Sequence, residues 1–149
     1  VYGTPLDDCH YSSRIDLQKI SITESQKKIL VNHADNEKPN ESCAILFGKI
    51  EAQKTLVKEI FLTKNIDESP INFTISNEEL IKVYKIADEK NMQVVGIFHS
   101  HPNSDAYPSN TDKKFMFSNP VVWIIYSGIA KNFKAYTLES DIVEILIEE

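Results

Sequence analysis

Apolar and polar positions change their period repeatedly along this 149-residue chain, and each change marks an element. Thr23-Glu-Ser-Gln26 carries the hydroxyl and amide of a capping box, so the spacing predicts a helix from there through about His33, with Ile29 and Leu30 on its apolar side. A polar loop follows to Asn40. From Glu41, ESCAILFGKI and then LVKEIFLTKNI read as two strands joined by a turn around Glu51 to Lys54, because β-branched and aromatic residues alternate with polar ones in the second. INFTI, residues 71–75, reads as a short third strand. Ser76-Asn-Glu-Glu79 is a second capping box, and Leu80, Val83, Tyr84 and Ala87 follow at the spacing of an amphipathic helix that ends near Asn91. MQVVGIF predicts a strand, Ser109 onward a short helix, VVWIIYS a fully buried strand, and FKAYTL and IVEILI two more.

Strands interleaved with helices, one of them almost wholly apolar, predict an α/β fold with a mixed sheet flanked by helices on both faces. There is no internal repeat. Residues 1–17 show no clean period and contain turn-formers, so they read as an N-terminal extension, a frayed terminus or an added edge strand, before one domain over residues 18–149.

Composition narrows the classes of function. A net charge of −6, with Arg14 the sole arginine, excludes the basic face that a nucleic-acid partner requires. No apolar run reaches the roughly 20 residues that span a bilayer and no basic and apolar leader opens the chain, so a cytoplasmic protein without a membrane partner is expected. Cys9 and Cys43 are too few for a disulfide framework and are expected as reduced thiols.

The chemistry concentrates in GIFHSHPNSDAYPSNTD, residues 96–112. If the strand continues beyond Phe98, His99 and His101 point to one face, since side chains alternate along a strand. Imidazole is the commonest metal ligand, and Zn²⁺ completes such a pair with a carboxylate, for which Asp112 is the candidate. Pro102 ends the strand and the Pro108-Ser109 corner starts a helix whose first turn carries Asp112, bringing it back toward the histidines. A second reading stands beside this one: Ser109-x-x-Asp112 is also a capping pattern, and a His-Ser-His loop can be merely solvated. Ser104 and Asp105 read as turn-formers, Phe98 and Trp123 as core aromatics, and His33 as a C-terminal helix cap, with neither His33 nor His10 assigned to metal.

The whole string His99-x-His101-Pro102-x6-Ser109-x2-Asp112 has a chance probability on the order of 10⁻⁵ in a chain of this composition. It resembles the signature of the JAMM (MPN+, JAB) family of zinc metalloproteases, which adds an upstream glutamate before a strand in a Pro-x-Glu-x-Cys-Gly-like context. Here Pro39-Asn-Glu41-Ser-Cys43-Ala44 stands, departing at Ala44 where glycine is usual. The resemblance covers roughly residues 20–140, and Asn65, Ser69-Pro70 and PVVWIIYSG look like the prokaryotic branch.

The resemblance implies a single MPN domain with a cytidine-deaminase-like three-layer α/β/α fold. It implies Zn²⁺ held by His99, His101 and Asp112, a water activated there, Glu41 as general acid/base and Ser109 as donor to the developing oxyanion. The implied partner is ubiquitin or a ubiquitin-like protein, cut at the (iso)peptide bond after its C-terminal Gly-Gly, with a proteasome or another complex as assembly partner by kinship to the proteasome-lid deubiquitinase. INFTI is the candidate edge along which a diglycine tail would lie. Two alternatives stay open: a peptidase acting on a sulfur-carrier precursor or adduct, and a metal-free MPN scaffold, against which the intact Glu41, His99, His101 and Asp112 argue. Cys43 is either a fourth ligand or a small core side chain. A nucleobase deaminase is excluded, since its His-x-Glu and Pro-Cys-x-x-Cys signatures are absent.

Overall fold

A computed structural model describes residues 17–149, so the extension, with Cys9 and His10, lies outside the described residues except for Leu17. Helix α1 spans Glu24–Glu37 and begins with the reciprocal bonds its sequence predicts: the Gln26 amide donates to Thr23 Oγ1 at 3.1 Å and the Thr23 amide to Gln26 Oε1 at 2.9 Å. It runs four residues beyond His33 because Ala34 still buries against the sheet, and it stops where Lys38 takes the extended ψ of 142° favoured before a proline.

Strands β2 (Cys43–Glu51) and β3 (Lys54–Thr63) form the expected hairpin. Ala52 and Gln53 turn it with φ of 49° and 68°, the two positive values that match a tight turn to strand twist. Helix α2 (Asn77–Glu89) is capped by Ser76, but the second capping box is half formed, because Glu79 Oε1 accepts from the Lys64 amide instead. Leu80, Val83 and Ala87 are buried, whereas Tyr84 is 39% exposed.

Strand β4 (Gln93–His101) pairs antiparallel with β2 and parallel with β5 (Val122–Ser127), with helix α3 (Asn110–Ser118) between them in sequence. Antiparallel β6 (Asn132–Leu138) and β7 (Ile142–Glu148) complete the run. A strand the sequence pattern does not announce, β1 (Lys19–Ser21), pairs parallel with both β3 and β7 and so closes the sheet on itself. Three residues are too few to show a period.

Two cores follow from the alternation of side chains across this sheet. Ala44, Leu46, Phe98, Val122 and Ile124 pack with Ile20 of β1 and Leu30 and Ala34 of α1 on one face. Ile45, Phe47, Ile97, Trp123 and Ile125 pack with Leu80, Val83 and Ala87 of α2 and Met116 of α3 on the other. Helices thus cover both faces, as the sequence predicts, and the second face carries the site.

Residues 71–75 correct one expectation. INFTI is not a strand. Phe73 and Ile75 are buried in the second core, and the segment is tied by the Ile66 amide to the Thr74 carbonyl at 3.0 Å rather than by a ladder. Its apolar alternation reflects packing rather than pairing in the sheet. Among the described residues no helix is long and apolar enough to cross a membrane.

Candidate active site

Strand β4 continues through His101, so His99 and His101 project to the same face, 0% and 4% exposed. Ser109 caps α3 and Asp112 is its third helical residue, one turn in. The chain reversal between them brings three atoms together. His99 Nε2 lies 3.0 Å and His101 Nε2 3.1 Å from Asp112 Oδ2, and the two nitrogens are 3.1 Å apart. His101 Nδ1 donates to the Asp105 carbonyl at 2.8 Å, which puts the proton there and leaves the Nε2 lone pair facing the cluster.

This triangle fits a metal ion. Tetrahedral zinc with bonds of about 2.0–2.2 Å spaces its ligands about 3.3 Å apart, close to the edges of the triangle. The donor set, two imidazole nitrogens and one carboxylate oxygen, is one that zinc takes. His99, His101 and Asp112 form a buried group able to hold a metal ion. The capping bond and the approach of Asp112 to the imidazoles, which compete as readings of the sequence, coincide here. Asp112 Oδ2 accepts from the Ser109 amide at 2.9 Å while facing both imidazoles, so the capping box aims the carboxylate.

Glu41 stands two residues before β2, 4% exposed. Its Oε2 lies 4.0 Å from His101 Nε2, and its Oε1 is buried with no hydrogen-bond partner among the described residues. Burial pushes the Glu41 carboxyl up to about 8, with His101 lowering it and Asp112 raising it further. Burial would raise Asp112 too, but the imidazoles of His99 and His101 and the Ser109 amide outweigh it and hold that carboxyl well below the usual range. Burial pushes His99 toward its neutral form. Burial also opposes charge on His101, but its bonds to Asp112 and the Asp105 carbonyl, with Glu41 nearby, raise its proton affinity overall.

Ser109 is exposed, and its Oγ accepts from the Asp112 amide at 3.1 Å, which leaves the hydroxyl proton available to donate. Cys43 stands outside the metal-binding group: its Sγ accepts from Thr63 Oγ1 at 3.2 Å in the second core, and burial pushes the free thiol up to about 12. His33 is not a C-terminal cap, since α1 continues past it; its Nε2 lies 2.9 Å from the Cys43 carbonyl and 3.2 Å from that of Thr63, bridging α1 to both hairpin strands.

Other groups at the site leave little trace in the sequence. Phe73 stacks on the His99 ring at 4.9 Å and Trp123 meets it edge-on at 5.8 Å. The Asp105 carbonyl, which accepts from the Tyr107 amide at 2.8 Å, also orients His101. Behind the ligands, the Ser42 amide and Oγ both donate to Ser100 Oγ at 2.9 Å, tying the residue after Glu41 to the one between the histidines. Alternation puts Ser100 opposite His99 and His101, but nothing in the sequence pairs it with Ser42.

A helix start and a strand end that bring two buried imidazoles and a carboxylate together beside a second buried acid define an α/β domain with a group able to hold a metal ion. The chain belongs to the family described as prokaryotic homologs of the JAB domain, which it matches over residues 23–139. It is 36% identical over 98 residues to a desampylase of Pyrococcus furiosus and 31% identical over 98 residues to a CysO-cysteine peptidase of Mycobacterium bovis. Each match covers 66% of this chain and 66% of the relative's length. A solution structure of a protein from Desulfitobacterium hafniense superposes with a TM-score of 0.76 at 29% identity, over 87% of this chain and 94% of that one.

Proposed function

We propose that this chain is a zinc-dependent peptidase that hydrolyses the (iso)peptide bond after the C-terminal Gly-Gly of a ubiquitin-like protein. The observation that carries the reading is the triangle of His99 Nε2, His101 Nε2 and Asp112 Oδ2 with an unpartnered buried carboxylate oxygen of Glu41 beside it. The similarity to a desampylase supports this substrate class.

In this reading His99, His101 and Asp112 hold the zinc ion, which when bound supplies a Lewis acid that makes water acidic enough to attack near neutral pH. Glu41 is the proton carrier. Its carboxylate, held beside the cluster 4.0 Å from His101 Nε2, takes a proton from the attacking water and returns it to the leaving amine. The Asp105 carbonyl keeps His101 in the tautomer that binds through Nε2. Ser109, its Oγ already accepting from the Asp112 amide, turns its hydroxyl proton to the developing oxyanion, a contribution typically worth about 3 kcal/mol.

The test is hydrolysis of a ubiquitin-like protein fused through its Gly-Gly to a reporter, by wild type and Glu41→Gln, with metal content measured on both. Both proteins should carry equal zinc while the variant loses activity by about 10³-fold or more. Absence of zinc from both after metal-replete purification would support a non-catalytic scaffold instead. A second reading, cleavage of a sulfur-carrier adduct, is favoured by the similarity to a CysO-cysteine peptidase. Preferential release of cysteine from a carrier adduct over cleavage of the fusion would select it.

A further inference from the structure

Among the described residues nothing that touches its carboxyl group fixes Glu41 in place: Oε1 has no hydrogen-bond partner, and Oε2 lies 4.0 Å from His101 Nε2. Its position is set through its backbone, and both backbone polar groups are held by one loop, residues 65–74. The Glu41 amide donates to the Ser69 carbonyl at 2.8 Å, and the Glu41 carbonyl accepts from Asn65 Nδ2 at 3.0 Å.

Asn65, 3% exposed, is the centre of that loop. Its Nδ2 also donates to the Asn72 carbonyl at 2.9 Å, with the Ser69 carbonyl farther off at 3.5 Å, while Oδ1 accepts from the amides of Asp67 at 3.0 Å and Thr74 at 3.1 Å. Both amide hydrogens and both carbonyl lone pairs are engaged, and only carbonyls face the nitrogen and only amides the oxygen, so the side chain has one orientation. No other side chain of this length offers two donors and two acceptors. The same loop carries Phe73 onto the face of the His99 ring.

We propose that Asn65 is a positioning residue for proton transfer by Glu41, fixing through the 65–74 loop where the carboxylate stands relative to His99 and His101. This rests on the functional reading above. A carboxylate displaced by a fraction of an ångström still leaves the metal ligands intact, so the loss falls on turnover rather than on metal binding.

The experiment is a double-mutant cycle on zinc-loaded protein with the Gly-Gly reporter fusion, comparing Asn65→Ala in the wild-type and Glu41→Gln backgrounds. In the wild-type background Asn65→Ala should lower kcat about 10- to 100-fold with KM within about twofold and zinc content unchanged. In the Glu41→Gln background it should have no further effect, because the group it acts through is gone. Should Asn65→Ala not fold, Asn65→Ser carries the same comparison, since it is neutral, keeps an acceptor for the loop amides and is too short to bridge to the Glu41 carbonyl. Equal losses in both backgrounds, or wild-type kcat in Asn65→Ala, would overturn this inference and leave the functional reading standing. An inactive, zinc-free wild type would overturn both.

Discussion

At the scale of single residues, the sequence displays the groups that meet the cluster with side-chain heteroatoms. His99, His101, Asp112 and Glu41 are legible because only a few residue types do such work at such spacings, and the structure brings all four together. The parts played by Asp105, Ser42 and Ser100, and by Asn65, which stands out only through the family resemblance, are not, because they run on or through backbone atoms whose position no local pattern encodes. Glu41 also has a consequence for stability. Its carboxyl is raised from 4.5 to about 8 by burial, so in the metal-free protein the fold holds this proton more tightly than the unfolded chain does. That contribution is complete below pH 4.5 and is lost as pH rises through 8. Metal-free Glu41→Gln should therefore gain stability relative to wild type as pH climbs, by about a few kcal/mol at about pH 9. Urea denaturation of both proteins across that range reads it, and a pH-independent difference would mean that water reaches the carboxylate.

At the scale of elements, boundaries set by caps and prolines are legible. Thr23 and Ser109 start their helices where the capping boxes predict, and Pro102 follows the last residue of β4. The error at INFTI arises because burial of Phe73 and Ile75 makes the same alternation as a half-buried strand, while the hydrogen bonds that distinguish the two come from Asn65. Gly48 is likewise silent in the sequence. The β2–β3 register shifts between Phe47 and Gly48, and there a Cβ would stand 1.8 Å from the Leu56 carbonyl oxygen and 3.2 Å from the Lys58 amide nitrogen. Both neighbours are backbone, so relief requires the hairpin strands to part. Gly48→Ala should cost about 3 kcal/mol or more by urea denaturation. A loss under about 1 kcal/mol would show that the bulge has slack.

At the scale of the whole molecule, the sheet is closed by its shortest strand. β1 contributes three residues, yet it pairs with β3 on one side and β7 on the other, joining parts of the chain some ninety residues apart. Ile20 and the adjacent Ile22 are 0% exposed among the residues that α1 covers. The site lies on the opposite face, on β4, which is separated from β1 by β3 and β2. Closure and chemistry therefore sit in different cores and are expected to separate on mutation. Ile20→Ala should destabilise the fold by about 2–5 kcal/mol, the usual cost of emptying a fully buried isoleucine site. Zinc content and kcat, measured well below the unfolding midpoint, should stay at wild-type values, because Ile20 packs in the core that α1 covers and not in the one on the α2 and α3 face where His99 and Asp112 meet. A parallel fall in kcat would show that strain at the seam is transmitted across the sheet to His99, His101 and Asp112, and that the curvature imposed by β1 sets their spacing.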